Sequence, residues 1–265
     1  MRRSGGHGVG LRGQPFCSLH TLTVAVASQA AYAIGILLVA LLPSLYYLVR
    51  ARNSERFGRE PYGRLLGVFG FGAVSAVIIS IILEVLIVGN LGRMERLYAL
   101  ADENLLAAVV VAPIVEEGAK ALGVVLVAGY FQRAEDGLVY GVAAGLGFAA
   151  TENLLYELNA LETGGLVAFF ALAFVRSISS TLLHASATGV TGLGIGKAKV
   201  AGRAYAAALP FYLAAVLMHA TFNYLASLGT THPELLGDAT GLLGLVACIA
   251  FAGLAFRLTR ERLAA

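Results

Sequence analysis

Apolar positions run in blocks too long for strands and too unbroken for helices with one wet face. Seven segments of mostly apolar residues stand out, at about 27–49, 65–89, 105–130, 137–157, 166–194, 205–228 and 239–257. A helix needs about 20 such residues to cross a bilayer. The links are short and polar, and no stretch is left over for a soluble domain or a sheet. Hydrocarbon offers backbone groups no water, so helices are the expected spanning structure. The pattern predicts an all-α, polytopic integral membrane helix bundle of about seven transmembrane helices. Residues 1–26 read as a disordered basic arm, 27–257 as a single transmembrane domain, and 258–265 as a short cytoplasmic tail.

Composition narrows the classes. Of 265 residues, 58% are apolar and 13% charged, against about 25% charged in an average soluble domain. Mean hydropathy is +0.78. A soluble protein of this size could not hide that much apolar surface, which sets aside soluble enzymes, disordered chains and nucleic-acid-binding modules. Arg2, Arg3 and Arg12 precede an apolar stretch ending in Ala25-Val26-Ala27, the outline of a signal peptide. The stretch is interrupted by His20, Thr21 and Thr23, however, and apolar sequence continues to Val49, so an uncleaved first helix is expected. Cys17 and Cys248 lie in no metal-ligand spacing and read as packing residues.

Arg and Lys set the expected orientation. Arg50, Arg52, Arg56, Arg59 and Arg64 fill the first link, Arg133 the third, Lys197, Lys199 and Arg203 the fifth, and Arg257, Arg260 and Arg262 the C-terminus. The other side holds Arg93, Arg96 and the three arginines of the arm. The positive-inside rule then places the C-terminus in the cytoplasm and the N-terminus outside. Arg far outnumbers Lys, and Ala and Gly are abundant, a composition associated with prokaryotic genomes. A multi-pass protein of a prokaryotic cell membrane is the expected setting, with the lipid bilayer as its surroundings and no nucleic-acid partner.

Ionisable groups within the spans cost about 2.5–3.5 kcal/mol each on insertion scales, yet eight lie well inside the segment ends: Glu84, Glu116, Glu117, Lys120, Glu152, Arg176, His184 and His219. In Pro113-Ile-Val-Glu116-Glu117-Gly-Ala-Lys120, Glu116 and Lys120 are one turn apart and share a face. Glu117 points about 100° away, which leaves it for another partner. Adjacent carboxylates suit acid–base work, and Pro113 loosens the preceding turn. A second segment, Phe148-Ala-Ala-Thr-Glu152-Asn153, places an amide beside a carboxylate. Arg176, Ser180, His184 and Thr188 recur every four residues as one polar stripe, expected to face the interior of the bundle. In His219-Ala-Thr-Phe-Asn223, Asn223 follows one turn after the imidazole, where it can fix its tautomer or donate to an oxyanion.

Together, Glu116-Glu117-x-x-Lys120, Phe148-x-x-x-Glu152-Asn153, His184 and His219-x-x-x-Asn223 resemble the motif set of the PrsW family of intramembrane proteases. That family is similar to the CAAX-processing and bacteriocin-immunity proteases, whose pattern has a His where this chain has Glu152. The resemblance covers about residues 40–228. It implies hydrolysis of a peptide bond in membrane-anchored proteins such as anti-sigma factors. The implied catalytic set is Glu116, Glu117, Glu152, His184, His219 and Asn223, with Lys120, Asn153, Arg176 and Ser180 supporting it. Glu116 or Glu117 is the expected base, His184 and His219 position water or polarise the carbonyl, and Asn223 receives the oxyanion. No cofactor is firmly expected. A zinc variant stays open, with His184, His219 and Glu152 as its ligands. A proton-coupled transporter, which also uses buried Glu, His and Lys, is the alternative from another class.

Overall fold

The computed structural model describes residues 16–55, 58–91, 103–237 and 239–264. Every regular element among them is helical. Helix α1 spans Phe16–Arg52, so it begins inside the stretch expected to be a disordered arm; residues 1–15 of that arm lie outside the described residues. Helices α2 (Tyr62–Gly70) and α3 (Val77–Leu91) are joined through a π-helical turn, Phe71–Ala76. Helices α4 (Glu103–Leu106) and α5 (Ala112–Val127) are joined through another, Ala107–Val111. Helices α6 (Ala134–Ile178), α7 (Ser180–Val200), α8 (Leu209–Thr231) and α9 (Ala239–Ala264) follow. The expected tail at 258–265 is helical to Ala264, and Leu263 is buried.

The chain divides into two compact units, Met1–Leu38 and Val39–Ala265. In the first, Tyr32, Ile34, Leu37 and Leu38 are exposed. The second holds all the chemistry described below. Its outer surface is apolar: Ile82, Val85, Leu126, Phe174 and Leu217 are all exposed. On a soluble protein such a surface would be an aggregation liability; against lipid it is the expected exterior.

Among the described residues, five helical stretches are long and apolar enough to cross a membrane: Gln29–Arg52, Tyr62–Asn90, Ala134–Val200, Tyr205–Thr231 and Ala239–Ala264. The sequence pattern suggests about seven spans, and two physical features account for the difference. The α5 region carries Glu116, Glu117 and Lys120, which lower its apolar character. The stretch 134–200 is continuous in sequence but folds back on itself. Its turn is at Gly165, with φ 70° and ψ −166°, a backbone conformation that side chains with a Cβ disfavour. Residues about equally far from Gly165 on either side meet: Arg176 bonds Asn153, and Gly145, Gly141 and Gly137 lie on the backbone at His184, Thr188 and Gly192. A second interruption at Ser179 (φ −124°, ψ −82°) starts α7, so the polar stripe from Arg176 to Thr188 crosses a break instead of riding one helix.

The first half of α6 is the centre of the molecule. Every residue from Asp136 to Ala150 is buried, as expected of a helix packed on all sides. Glycines at positions 137, 141 and 145 make this close approach feasible. A Cβ on Gly145 would run into the His184 carbonyl, and one on Gly141 into that of Thr188. In lipid, where apolar burial does not drive helix pairing, small residues of this kind set how near two backbones come.

Two outcomes are expected. Gly145→Ala should destabilise the purified protein by about 1–3 kcal/mol, the usual cost of overpacking, while Gly253→Ala, with open space at its Cβ, should not lower the melting temperature in detergent. The second concerns the link after α1. Burial pushes the Glu55 carboxyl up from its ordinary value to about 7, against the opposing hydrogen bond from the Glu60 backbone N–H. The folded state therefore holds this proton where the unfolded chain releases it, and the stabilisation falls as pH rises from about 4.5 to 7. Glu55→Gln should flatten that part of a stability-against-pH curve; an unchanged slope would show that Glu55 does not set it.

Candidate active site

The site is assembled where α5, α6, α7 and α8 face one another, and α5 supplies its centre. Pro113 lies in the first turn of α5 and has no N–H to give to the carbonyl four residues earlier. That position falls in the π-helical turn Ala107–Val111, a form found often at functional sites. Side chains of α8 bond carbonyls on either side of the proline: Asn223 Nδ2 donates to Ala108 at 2.8 Å, and Tyr212 Oη to Ile114 at 2.7 Å.

Lys120 is fully buried. Its Nζ donates to Glu117 Oε1 at 2.7 Å, to His184 Nδ1 at 2.9 Å and to Glu116 Oε2 at 3.3 Å. The ammonium also lies 4.2 Å from the centre of the Phe148 ring, a cation–π contact. The expectation that one carboxylate would take Lys120 and Glu117 would be left over is thus corrected. Lys120 holds both, and Glu117 is the nearer. Side chains at i+3 and i+4 flank the same ridge, so a long lysine reaches either.

These contacts decide the histidine tautomers. An ammonium has only donors, so His184 Nδ1 accepts and the ring proton sits on Nε2, which donates to Glu152 Oε2 at 2.8 Å. That carboxylate also takes Arg176 at 2.7 Å. Arg176 reaches Asn153 Oδ1 at 2.7 Å and Ser180 Oγ at 3.0 Å, and Asn153 donates onward to Thr181. His219 Nδ1 donates to Glu117 Oε1 at 3.1 Å, which leaves Nε2 with its lone pair 3.9 Å from Glu116 Oε2. The tautomer of His219 is therefore set by Glu117, not by Asn223, whose amide is held by the Ala108 carbonyl. The two imidazoles meet edge to face, 4.8 Å between centres.

A cavity of about 540 Å³ opens onto this network. Glu116, Glu152, Arg176, Ser180, His184 and Asn223 line it, while Glu117, Lys120, Asn153 and His219 lie behind the wall. All ten residues singled out from the sequence are gathered at or next to this cavity. Thr188, noted in the stripe but given no role, donates to Glu117 Oε2 at 2.8 Å. Tyr156 was overlooked. Its ring lies under the Arg176 guanidinium at 4.1 Å, and its position one turn after Glu152 was the available signal. Glu116, His184 and His219 each offer a ligand atom within 4.8 Å of the others. In the metal set expected from the sequence, Glu116 therefore takes the place of Glu152, whose carboxylate is committed to Arg176 and His184.

Comparison with known proteins places the chain in a family. The model of a family described as PrsW family intramembrane metalloprotease matches residues 60–254. Protease PrsW of Clostridioides difficile (strain 630) is 28% identical over 200 residues, covering 72% of this chain and 79% of its own. No solved structure matches.

The two adjacent carboxylates should separate in their effects on stability. Glu117→Ala removes the partner of Lys120, His219 and Thr188 at once and should destabilise the protein by about 3–5 kcal/mol, as for a broken buried ion pair. Glu116→Gln, on the cavity wall and with Lys120 still held by Glu117, should cost clearly less. Equal losses in thermal unfolding would count against this division.

Proposed function

The chain belongs to the PrsW family and is an intramembrane protease, and on that premise we propose that it hydrolyses peptide bonds of membrane-anchored proteins with a water activated by Glu116. Anti-sigma-factor-like proteins are the substrate type we favour. The observation that carries this reading is one cavity with Glu116, Glu152, His184 and Asn223 on its wall. The proton-coupled transporter, the other use of the same buried groups, gives way to the protease by family membership.

Glu116 takes a proton from the water as its oxygen bonds to the scissile carbonyl carbon. His219 Nε2, with its lone pair turned to Glu116, helps to orient that water. The carbonyl oxygen becomes an oxyanion, and the second N–H of the Asn223 amide receives it. When the intermediate collapses, the C–N bond breaks and Glu116 returns the proton to the departing nitrogen. Glu117 is the positioning residue: it holds Lys120, His219 and Thr188 in place and does not reach the cavity. Lys120 donates to both carboxylates and holds them side by side. Glu152 orients His184 from the far side, and Arg176 anchors Glu152 through its bonds to Asn153 and Ser180.

A zinc-dependent form is the second reading, favoured by the grouping of Glu116, His184 and His219 and by the description of the family model. Two imidazoles and a carboxylate are a zinc donor set, and bound zinc would supply Lewis-acid activation of water. The donor types fit, and His219 Nε2 keeps its lone pair, but His184 is engaged at both ring nitrogens. His184 has Lys120 on Nδ1 and Glu152 on Nε2, and a buried ammonium 3.3 Å from Glu116 repels a second cation. The metal-free form is therefore the first reading.

The topology we favour has seven crossings, with the 134–200 stretch counted as two and α4–α5 as one, in a prokaryotic cell membrane. The arginine-rich links face the cytoplasm, the N-terminus lies outside, and the cavity opens towards the extracytoplasmic face.

Three measurements test these readings. Glu116→Gln should lower cleavage of a tethered single-span substrate by about 10²–10⁴, the range for general-base loss, while the protein still accumulates in the membrane; activity within a few-fold of the parent would remove Glu116 as base. Strong chelators should leave the purified enzyme active, whereas loss reversed by zinc would install the metal form. In a cysteine-free background, single cysteines at Glu162 and Glu234 should react with an impermeant thiol reagent on intact cells. Those at Arg56 and Lys199 should react only after permeabilisation; the reverse pattern would turn the cavity's mouth to the cytoplasm.

A further inference from the structure

The polar groups on the cavity wall are almost all spoken for. Glu116 is held by Lys120, Glu152 by Arg176 and His184, and Asn223 by the Ala108 carbonyl. Ser227 donates to the Tyr224 carbonyl. Two side chains on α3 differ. Ser80 is 2% exposed, yet its Oγ has no hydrogen-bond partner among the described residues. Glu84 lies one turn further along the same helix and lines the same cavity. Among the described residues it makes no hydrogen bond or ion pair. Its helical neighbours Ile82, Leu83, Val85 and Leu86 are exposed apolar side chains on the lipid side.

An unpaired carboxylate in a membrane-spanning helix is costly, and such residues usually mark a ligand path. A buried hydroxyl without a partner carries its own penalty of about 1–3 kcal/mol. The two lie at i and i+4, on one face, and that face is the one α3 presents to the cavity. What satisfies both is a group rich in donors and positively charged. The charge of the site points the same way. Four carboxylates (Glu84, Glu116, Glu117 and Glu152) face two cations, Lys120 and Arg176, and both cations are already engaged with Glu116, Glu117 and Glu152.

We propose that Ser80 and Glu84 form a specificity subsite that receives a lysine or arginine side chain of the membrane-anchored substrate, close to the bond that is cut. The inference rests on the reading of this cavity as the active site and adds the chemistry that selects the substrate. Glu84 accepts from the ammonium or guanidinium and offsets its charge, and Ser80 Oγ accepts a second N–H deeper in the cavity. An acidic substrate side chain at the same place would meet Glu84 without a counter-ion, so the subsite rejects as well as selects.

The test uses single-span reporters cleaved by the purified full-length protease, with the cut site mapped by mass spectrometry. The reporters differ only in residues flanking that bond, which are Lys, Arg, Met or Glu. The parent enzyme should show kcat/KM for Lys and Arg reporters about tenfold or more above the Glu reporter, the scale of one partly desolvated charge pair. In Glu84→Gln the ratio of Lys to Met reporters should collapse to near one. In Glu84→Lys the preference should pass to the Glu reporter. Ser80→Ala should narrow the Lys-to-Met ratio less than Glu84→Gln does. A parent enzyme indifferent to flanking charge would overturn the subsite, as would a Glu84→Gln variant that keeps the parent's ratios or loses all reporters in equal proportion. Glu116→Gln, run beside these, reports separately on the active-site reading, because its failure to abolish cleavage would remove that reading whatever the charge preference.

Discussion

One buried ammonium organises this molecule. Lys120 brings a full positive charge to a fully buried position, where an uncompensated ion is costly by several kcal/mol. It is tolerated because Glu117, Glu116 and His184 all accept from it and the Phe148 ring faces it. Those bonds propagate. With Nδ1 of His184 committed, Nε2 must carry the proton, and its direction selects Glu152. That carboxylate in turn fixes Arg176, and Arg176 fixes Asn153 and Ser180. On the other side, Glu117 sets the tautomer of His219 and holds Thr188. The result is a continuous polar network across four helices whose orientation follows from one charge.

Such a network needs the helices to come closer than bulky side chains permit. The glycine face of α6 provides this. At Gly145 the backbone of α7 passes so near that a methyl group would strike the His184 carbonyl, and the same approach places the His184 side chain beside Lys120. The fold therefore couples two demands that are usually discussed apart. Small residues set the helix spacing, and charged residues fill what the spacing encloses. The two π-helical turns belong to the same scheme. Each loosens the backbone ladder, and the freed carbonyls at Ala73 and Ala108 are taken by Thr151 and Asn223, side chains of helices that also carry site residues.

The lysine also bears on what cation chemistry the site can host. A metal at Glu116, His184 and His219 would share acceptors with an ammonium that is already there, and two cations at that separation repel strongly in a low-dielectric interior. A protonated amine and a metal would draw on the same carboxylate, and the metal-free form is the one we propose.

Much of this was readable along the chain. Long apolar blocks establish a helical membrane bundle, because only helices satisfy their own backbone in lipid. The cost of charge in that setting makes eight ionisable residues conspicuous, and they end on the wall of one cavity or just behind it. Periodicity of four placed Arg176, Ser180, His184 and Thr188 together even though the helix breaks at Ser179. Other features were settled only in three dimensions. Spacing along α5 put Lys120 opposite Glu116, but packing against α7 drew its flexible side chain to Glu117 and His184. Asn223, one turn from His219, was held instead by a carbonyl 115 residues earlier. Which carboxylate reaches the cavity, which ring nitrogen bears the proton, and that Ser80 and Glu84 share one wall without a partner among the described residues depend on distances between helices. A linear sequence determines what each helix can offer on its faces, while the partner of each face is chosen by tertiary packing.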